Sequence, residues 1–70
     1  MTATEPPPGK IRRYRFSSPG GAEIEIAEAD DDEAAEVHAR ALSKARKLPV
    51  VIDRQTIVDW DYVTEVDERP

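Results

Sequence analysis

Residues 23–37 read EIEIAEADDDEAAEV, and the chemical rhythm of the chain changes inside this stretch. As far as Ala27 the side chains alternate with a period of two, the mark of a strand. Beyond the aspartates the apolar residues recur at helical spacing: Ala34, Val37, Ala41, Ala45 and Leu48, flanked by His38 and Leu42. The acidic triplet at 30–32 therefore stands where a strand gives way to a helix. Taking Asp30 as the N-cap puts Glu33 three positions later, as in a capping box, and leaves Asp31 and Asp32 in a first turn whose free N–H groups favour negative charge. Lys44, Arg46 and Lys47 gather at the opposite end, where cations suit the helix dipole, and Pro49 ends the helix. Acid at the start and base at the end account for these charges without a ligand.

Working outward, KIRRYRFS at 10–17 reads as a strand with Tyr14 and Phe16 on a buried side and Arg13 and Arg15 on the other. SSPGG is a turn signal. The next strand should then carry Ala22, Ile24 and Ile26 on one face and Glu23, Glu25 and Ala27 on the other, closing a hairpin in which arginines and glutamates lie opposite one another. After the helix, PVVID reads as a short strand and TIVDWDYVTEV as a longer one. The set Thr56, Val58, Trp60, Tyr62, Thr64 and Val66 is expected under the helix, because it holds both large aromatics and no charge. The fold class that follows is α+β: β-β-α-β-β, one four-stranded, mainly antiparallel sheet with a single helix on one face.

The chain has 70 residues, enough for one small domain with a modest core. The reading divides it into a proline-rich leader at 1–9, a domain at 10–66 and a short tail at 67–70. A contact stripe made mostly of alanine permits close approach to the sheet but supplies little apolar area, so a marginal monomer or a homodimer is expected. The sequence contains no cysteine, which excludes disulfides and thiolate metal sites and suits a cytoplasmic setting. MTATEPPPGK lacks the charged and apolar regions of a secretory signal, and no run has the ~20 apolar residues needed to cross a bilayer, so no membrane role is expected.

Chemistry is sparse. Consecutive aspartates at a helix start point in different directions, and the glycine-centred calcium loop is missing, so no metal or other cofactor is expected. His38 is the single histidine, and the helix offers it no nearby acid or nucleophile. Asp59 and Asp61, at i and i+2 on a strand, stand roughly 7 Å apart, a separation that paired-carboxylate enzymes use, but alternating acids on a wet strand have the same spacing. No phosphate loop or zinc pattern occurs, so neither a catalytic residue nor a small-molecule substrate is assigned. Two binding roles remain. The leading expectation is a non-enzymatic protein-interaction module or accessory protein, meeting a protein partner or itself through the free sheet face or edge, with Ile57, Asp59, Asp61, Val63 and Glu65 as its candidate interface. The alternative is nucleic-acid binding by Lys10, Arg12, Arg13 and Arg15, joined by Lys44, Arg46 and Lys47. The formal net charge of -5 opposes that alternative, since nonspecific binding depends on neutralising phosphates.

Overall fold

A computed structural model describes residues 12–69. Lys10 and the proline-rich segment at 1–9 lie outside the described residues. The elements are β1 (Arg12–Ser17), β2 (Glu23–Ala29), α1 (Asp32–Arg46), β3 (Val50–Gln55) and β4 (Trp60–Val66). All neighbouring strands pair antiparallel in the order β2-β1-β3-β4. The chain leaves β2 at one edge, crosses above β1 as α1, and re-enters the sheet interior as β3. This is the expected α+β architecture of a single helix on one four-stranded sheet.

The turn joining β1 and β2 is built by Ser18. Its carbonyl accepts from the Gly21 N–H at 2.9 Å, and its hydroxyl accepts from the Ala22 N–H at 3.2 Å. Gly21 has φ 97°, a backbone conformation costly for any residue with a Cβ.

Strand β1 follows the alternation read from sequence, whereas both edge strands break it. In β1, Tyr14 and Phe16 are buried; in β3, Val50 and Ile52 are buried. Tyr14 lies opposite Ala27 and Phe16 opposite Glu25, but Ser17 lies opposite Glu23, so Ile24 is an extra residue in β2. Likewise Ile52 lies opposite Thr64 and Asp53 opposite Tyr62, leaving Val63 as an extra residue in β4. Each is a β-bulge, and one inserted residue reverses which way everything beyond it points. Ile26 consequently shares the helix-free side with Arg15, not the core side with Ile24. Trp60 and Tyr62 also emerge on the helix-free side, overturning their expected place beneath α1. Ile24, Ala27, Ala29 and Val63 pack against the core in their stead.

The last hairpin differs from expectation in a second way. Arg54 and Gln55 extend β3, and Thr56–Asp59 form the connection instead of starting a strand. The Thr56 N–H donates to the Asp59 carbonyl at 2.8 Å, and the Asp59 N–H donates to the Thr56 hydroxyl at 2.9 Å. Thr and Asp satisfy each other's backbone across the loop, which leaves Ile57 and Val58 exposed at the tip.

Helix α1 starts one residue later than expected because β2 runs on to Ala29. Asp31 is the N-cap, its carboxylate accepting from the Ala34 N–H at 2.8 Å. Glu33 therefore does not occupy the capping-box position. At the other end Lys47 adopts the left-handed conformation with φ 61° and donates its N–H to the Ser43 carbonyl at 2.8 Å. The buried helix stripe is Ala35, Ala39 and Ser43, with Leu42 partly covered. Val37, Ala41 and Ala45, expected on the contact face, are exposed. Small side chains face the sheet where the helix backbone comes closest to it, over β3 with its buried Val50 and Ile52. Ser43 joins them because its hydroxyl is fully used: it donates to the Leu48 carbonyl at 2.6 Å and accepts from the Glu68 N–H at 2.8 Å. One buried serine thus ties the end of α1 to the chain beyond β4.

Candidate protein-interaction face

The bulges determine what the helix-free side of the sheet displays. Four directly opposed residues form a row across it: Ile26 on β2, Arg15 on β1, Asp53 on β3 and Tyr62 on β4. Arg15 Nη2 donates to Asp53 Oδ2 at 3.3 Å, and its guanidinium carbon stands 4.7 Å from the centre of the Trp60 ring. A planar cation over an indole is held by both packing and ring electrostatics. Ile26 is 44% exposed and Tyr62 is 65% exposed, so the row has an apolar group at each end and an ion pair in its middle. Arg13 lies opposite Glu28 with 3.8 Å between their charged atoms, and Glu65 lies opposite Val51.

The covered side holds a second polar group. Tyr14 donates its hydroxyl to Asp32 Oδ1 at 2.6 Å, and Arg54 Nη1 donates to Asp32 Oδ2 at 2.7 Å. Burial, reinforced by the bond to Asp32 and its negative charge, pushes the Tyr14 phenol up to about 12. The Tyr14 hydroxyl bond holds the Asp32 carboxyl below its ordinary value; burial opposes this, and the Arg54 guanidinium adds to the depression. The arrangement clamps the helix start to β1 and β3. It leaves neither an open carboxylate nor a free base, so the third aspartate of the triplet has a tertiary partner beyond the helix backbone.

His38 Nε2 lies 2.7 Å from Glu25 Oε2, and its ring meets Phe16 edge-on at 5.0 Å between centroids. Glu25 reaches the helix side because of the bulge at Ile24. Among the described residues no group of three His, Cys, Asp or Glu side chains could hold a metal ion.

The residues singled out from sequence do not assemble as two patches. Arg12 shares the helix side with Tyr14, near the start of α1. Lys44, Arg46 and Lys47 sit at the other end of that helix, about 20 Å away. Arg13 and Arg15 project from the opposite side of the sheet and are each paired with an acid. The interface set is similarly divided. Ile57 and Asp59 belong to the hairpin loop, Asp61 lies opposite Arg54 on the helix side, Val63 occupies the bulge, and only Glu65 faces the helix-free side. Sequence reasoning missed Ile26, Asp53, Trp60 and Tyr62 as members of one surface. A signal was present: Ile26–Ala27 and Tyr62–Val63 are adjacent apolar pairs, which a regular half-buried strand does not need.

No protein-family model, curated protein or solved structure matches this chain. Among the described residues no helix is long and apolar enough to cross a membrane.

Proposed function

We propose that this chain is a small non-enzymatic protein-interaction module that works through the helix-free face of its sheet. The observation that carries the reading is the emergence of Ile26, Trp60 and Tyr62 on that face, around the Arg15–Asp53 pair. An antiparallel sheet tolerates water on one side when that side is polar. Here two aromatics and an isoleucine stand among the charged groups of that face, and these are residue types that supply binding energy when a partner covers them. The exposed Ile57 and Val58 add an apolar tip at one end of the same sheet. A cytoplasmic setting, suited to a cysteine-free chain, belongs to this proposal.

Protein is favoured over nucleic acid by three features. Tyr14 and Phe16 are buried under α1 and cannot stack on bases. Arg13 and Arg15 are paired with Glu28 and Asp53. The helix-borne cations lie on the other side of the sheet. Sedimentation of the purified protein, alone and with candidate partners, tests the reading when repeated on Tyr62→Lys and on Val37→Lys. Association lost with the first variant and kept with the second is the expected result. Loss with Val37→Lys alone would move the interface to the exposed side of α1 and overturn the proposal.

A further inference from the structure

The row on the helix-free face is its own complement. Across the sheet it runs Ile26, Arg15, Asp53, Tyr62: apolar, positive, negative, apolar. Consider a two-fold axis lying parallel to the strands, midway between β1 and β3, in the plane between two facing sheets. That operation carries β1 onto β3 and β2 onto β4. Arg15 of each copy then stands over Asp53 of the other, and Ile26 stands over Tyr62. We propose, building on the interaction reading above, that the occupant of this face is a second copy of the chain, packed face to face in this register.

Several observations support a second copy over an unrelated protein. Strand spacing puts Arg15 and Asp53 only about 2.4 Å to either side of the proposed axis in projection onto the sheet, so contacts in this central row move little when the sheets rotate in their planes to the usual aligned angle of about 30°. Asp53 is already only 14% exposed and Arg15 33%, so covering them removes little further hydration. The four charges of two copies form a closed ring in which each Arg15 meets two carboxylates and each Asp53 two guanidiniums. The neighbouring rows are compatible with the same operation. Arg13 comes near Gln55 and Trp60 near Glu28, while Glu65 approaches Glu23 only at a rim that stays in water. The face measures roughly 19 by 21 Å in projection from its strand count and length. That is small beside the ~800 Å² per partner of a standard interface, so the dimer should dissociate in the micromolar range.

The test exploits the exchange of signs. Sedimentation from about 1 μM to 1 mM is run on the full chain, on Arg15→Asp, on Asp53→Arg, and on an equimolar mixture of the two variants. The parent should dimerise. Each variant alone places like charges opposite each other twice and should self-associate at least ~10-fold more weakly. In the mixture both contacts again join opposite charges, so heterodimers should form with an affinity near that of the parent. A parent that stays monomeric, or a mixture as weak as its components, overturns the proposal. Because each single change also disturbs the intramolecular pair, Ile26→Lys and Tyr62→Lys supply an independent arm at exposed positions. Both should be folded monomers, and a dimer that survives them defeats both the inference and the interaction reading. A monomeric parent whose contact with a different protein is lost in Tyr62→Lys defeats only the inference.

Discussion

The two sides of the sheet use the same residue types for opposite purposes. On the helix-covered side Tyr14 and Phe16 are buried and the charged groups are there to hold α1 in place, through Arg54, Asp32 and the Tyr14 hydroxyl. On the other side Trp60 and Tyr62 are aromatic as well, yet no element of the described fold lies over them, and their cation, Arg15, is tied to Asp53 within the sheet. Aromatic character alone therefore does not mark the core of this protein. What distinguishes the two sides is whether small helix residues, Ala35 and Ala39, come close enough to complete the packing.

The sharpest way to break that comparison is to truncate one aromatic from each side. Phe16→Ala should cost about 3–5 kcal/mol in chemical denaturation, enough to unfold a domain of this size. Trp60→Ala should cost about 1 kcal/mol or less while weakening association; equal losses would mean that Trp60 is core. Next in size is Ser43→Ala, which strands the Glu68 N–H and the Leu48 carbonyl near the end of α1. It should lower stability by about 1–3 kcal/mol, and an unchanged midpoint would show that water replaces the hydroxyl.

A smaller effect with a distinctive pH signature belongs to the Tyr14–Asp32 contact. The Tyr14 phenol is raised to about 12, so the folded state keeps its proton longer than the unfolded chain does. Its contribution is complete below the unfolded value of about 10 and is lost as pH rises through the folded value. Asp32 is depressed, so its contribution is present above its unfolded value and is lost as pH falls through the folded one. Tyr14→Phe should remove the alkaline fall and lower stability near neutrality by about 1 kcal/mol, as read from unfolding curves across pH. The smallest change is favourable. Lys47→Gly relieves a left-handed non-glycine residue and should raise stability by about 0.5–1 kcal/mol without altering association through the far side of the sheet.

Much of the covered side was legible in the sequence, because its elements are specified locally. The aspartates, the cationic helix end and the Ser-Pro-Gly-Gly turn each act within a few residues. The alternation of β1 also held, since an interior strand is paired on both sides and cannot accept an extra residue cheaply. The open face was misread for the converse reason. Ile24 and Val63 bulge from edge strands, where one side of the ladder is free. Each bulge turns the rest of its strand over, sending Ile26, Trp60 and Tyr62 away from the helix. Within α1 the stripe was misphased because counting apolar residues favours Val37, Ala41 and Ala45. The sheet instead selected the narrow side formed by Ala35, Ala39 and Ser43.

The sequence by itself determined the succession of strands and helix along the chain, the ends of that helix to within one or two residues, and the burial of Tyr14 and Phe16, because turns, caps and short-range alternation are chemistry between near neighbours. Only the tertiary structure decided the strand order, the partners of Asp32 and Ser43, and the direction in which Trp60 and Tyr62 point. Those depend on register between segments far apart in the chain, and a single inserted residue at an edge reverses the outcome while leaving the local composition unchanged.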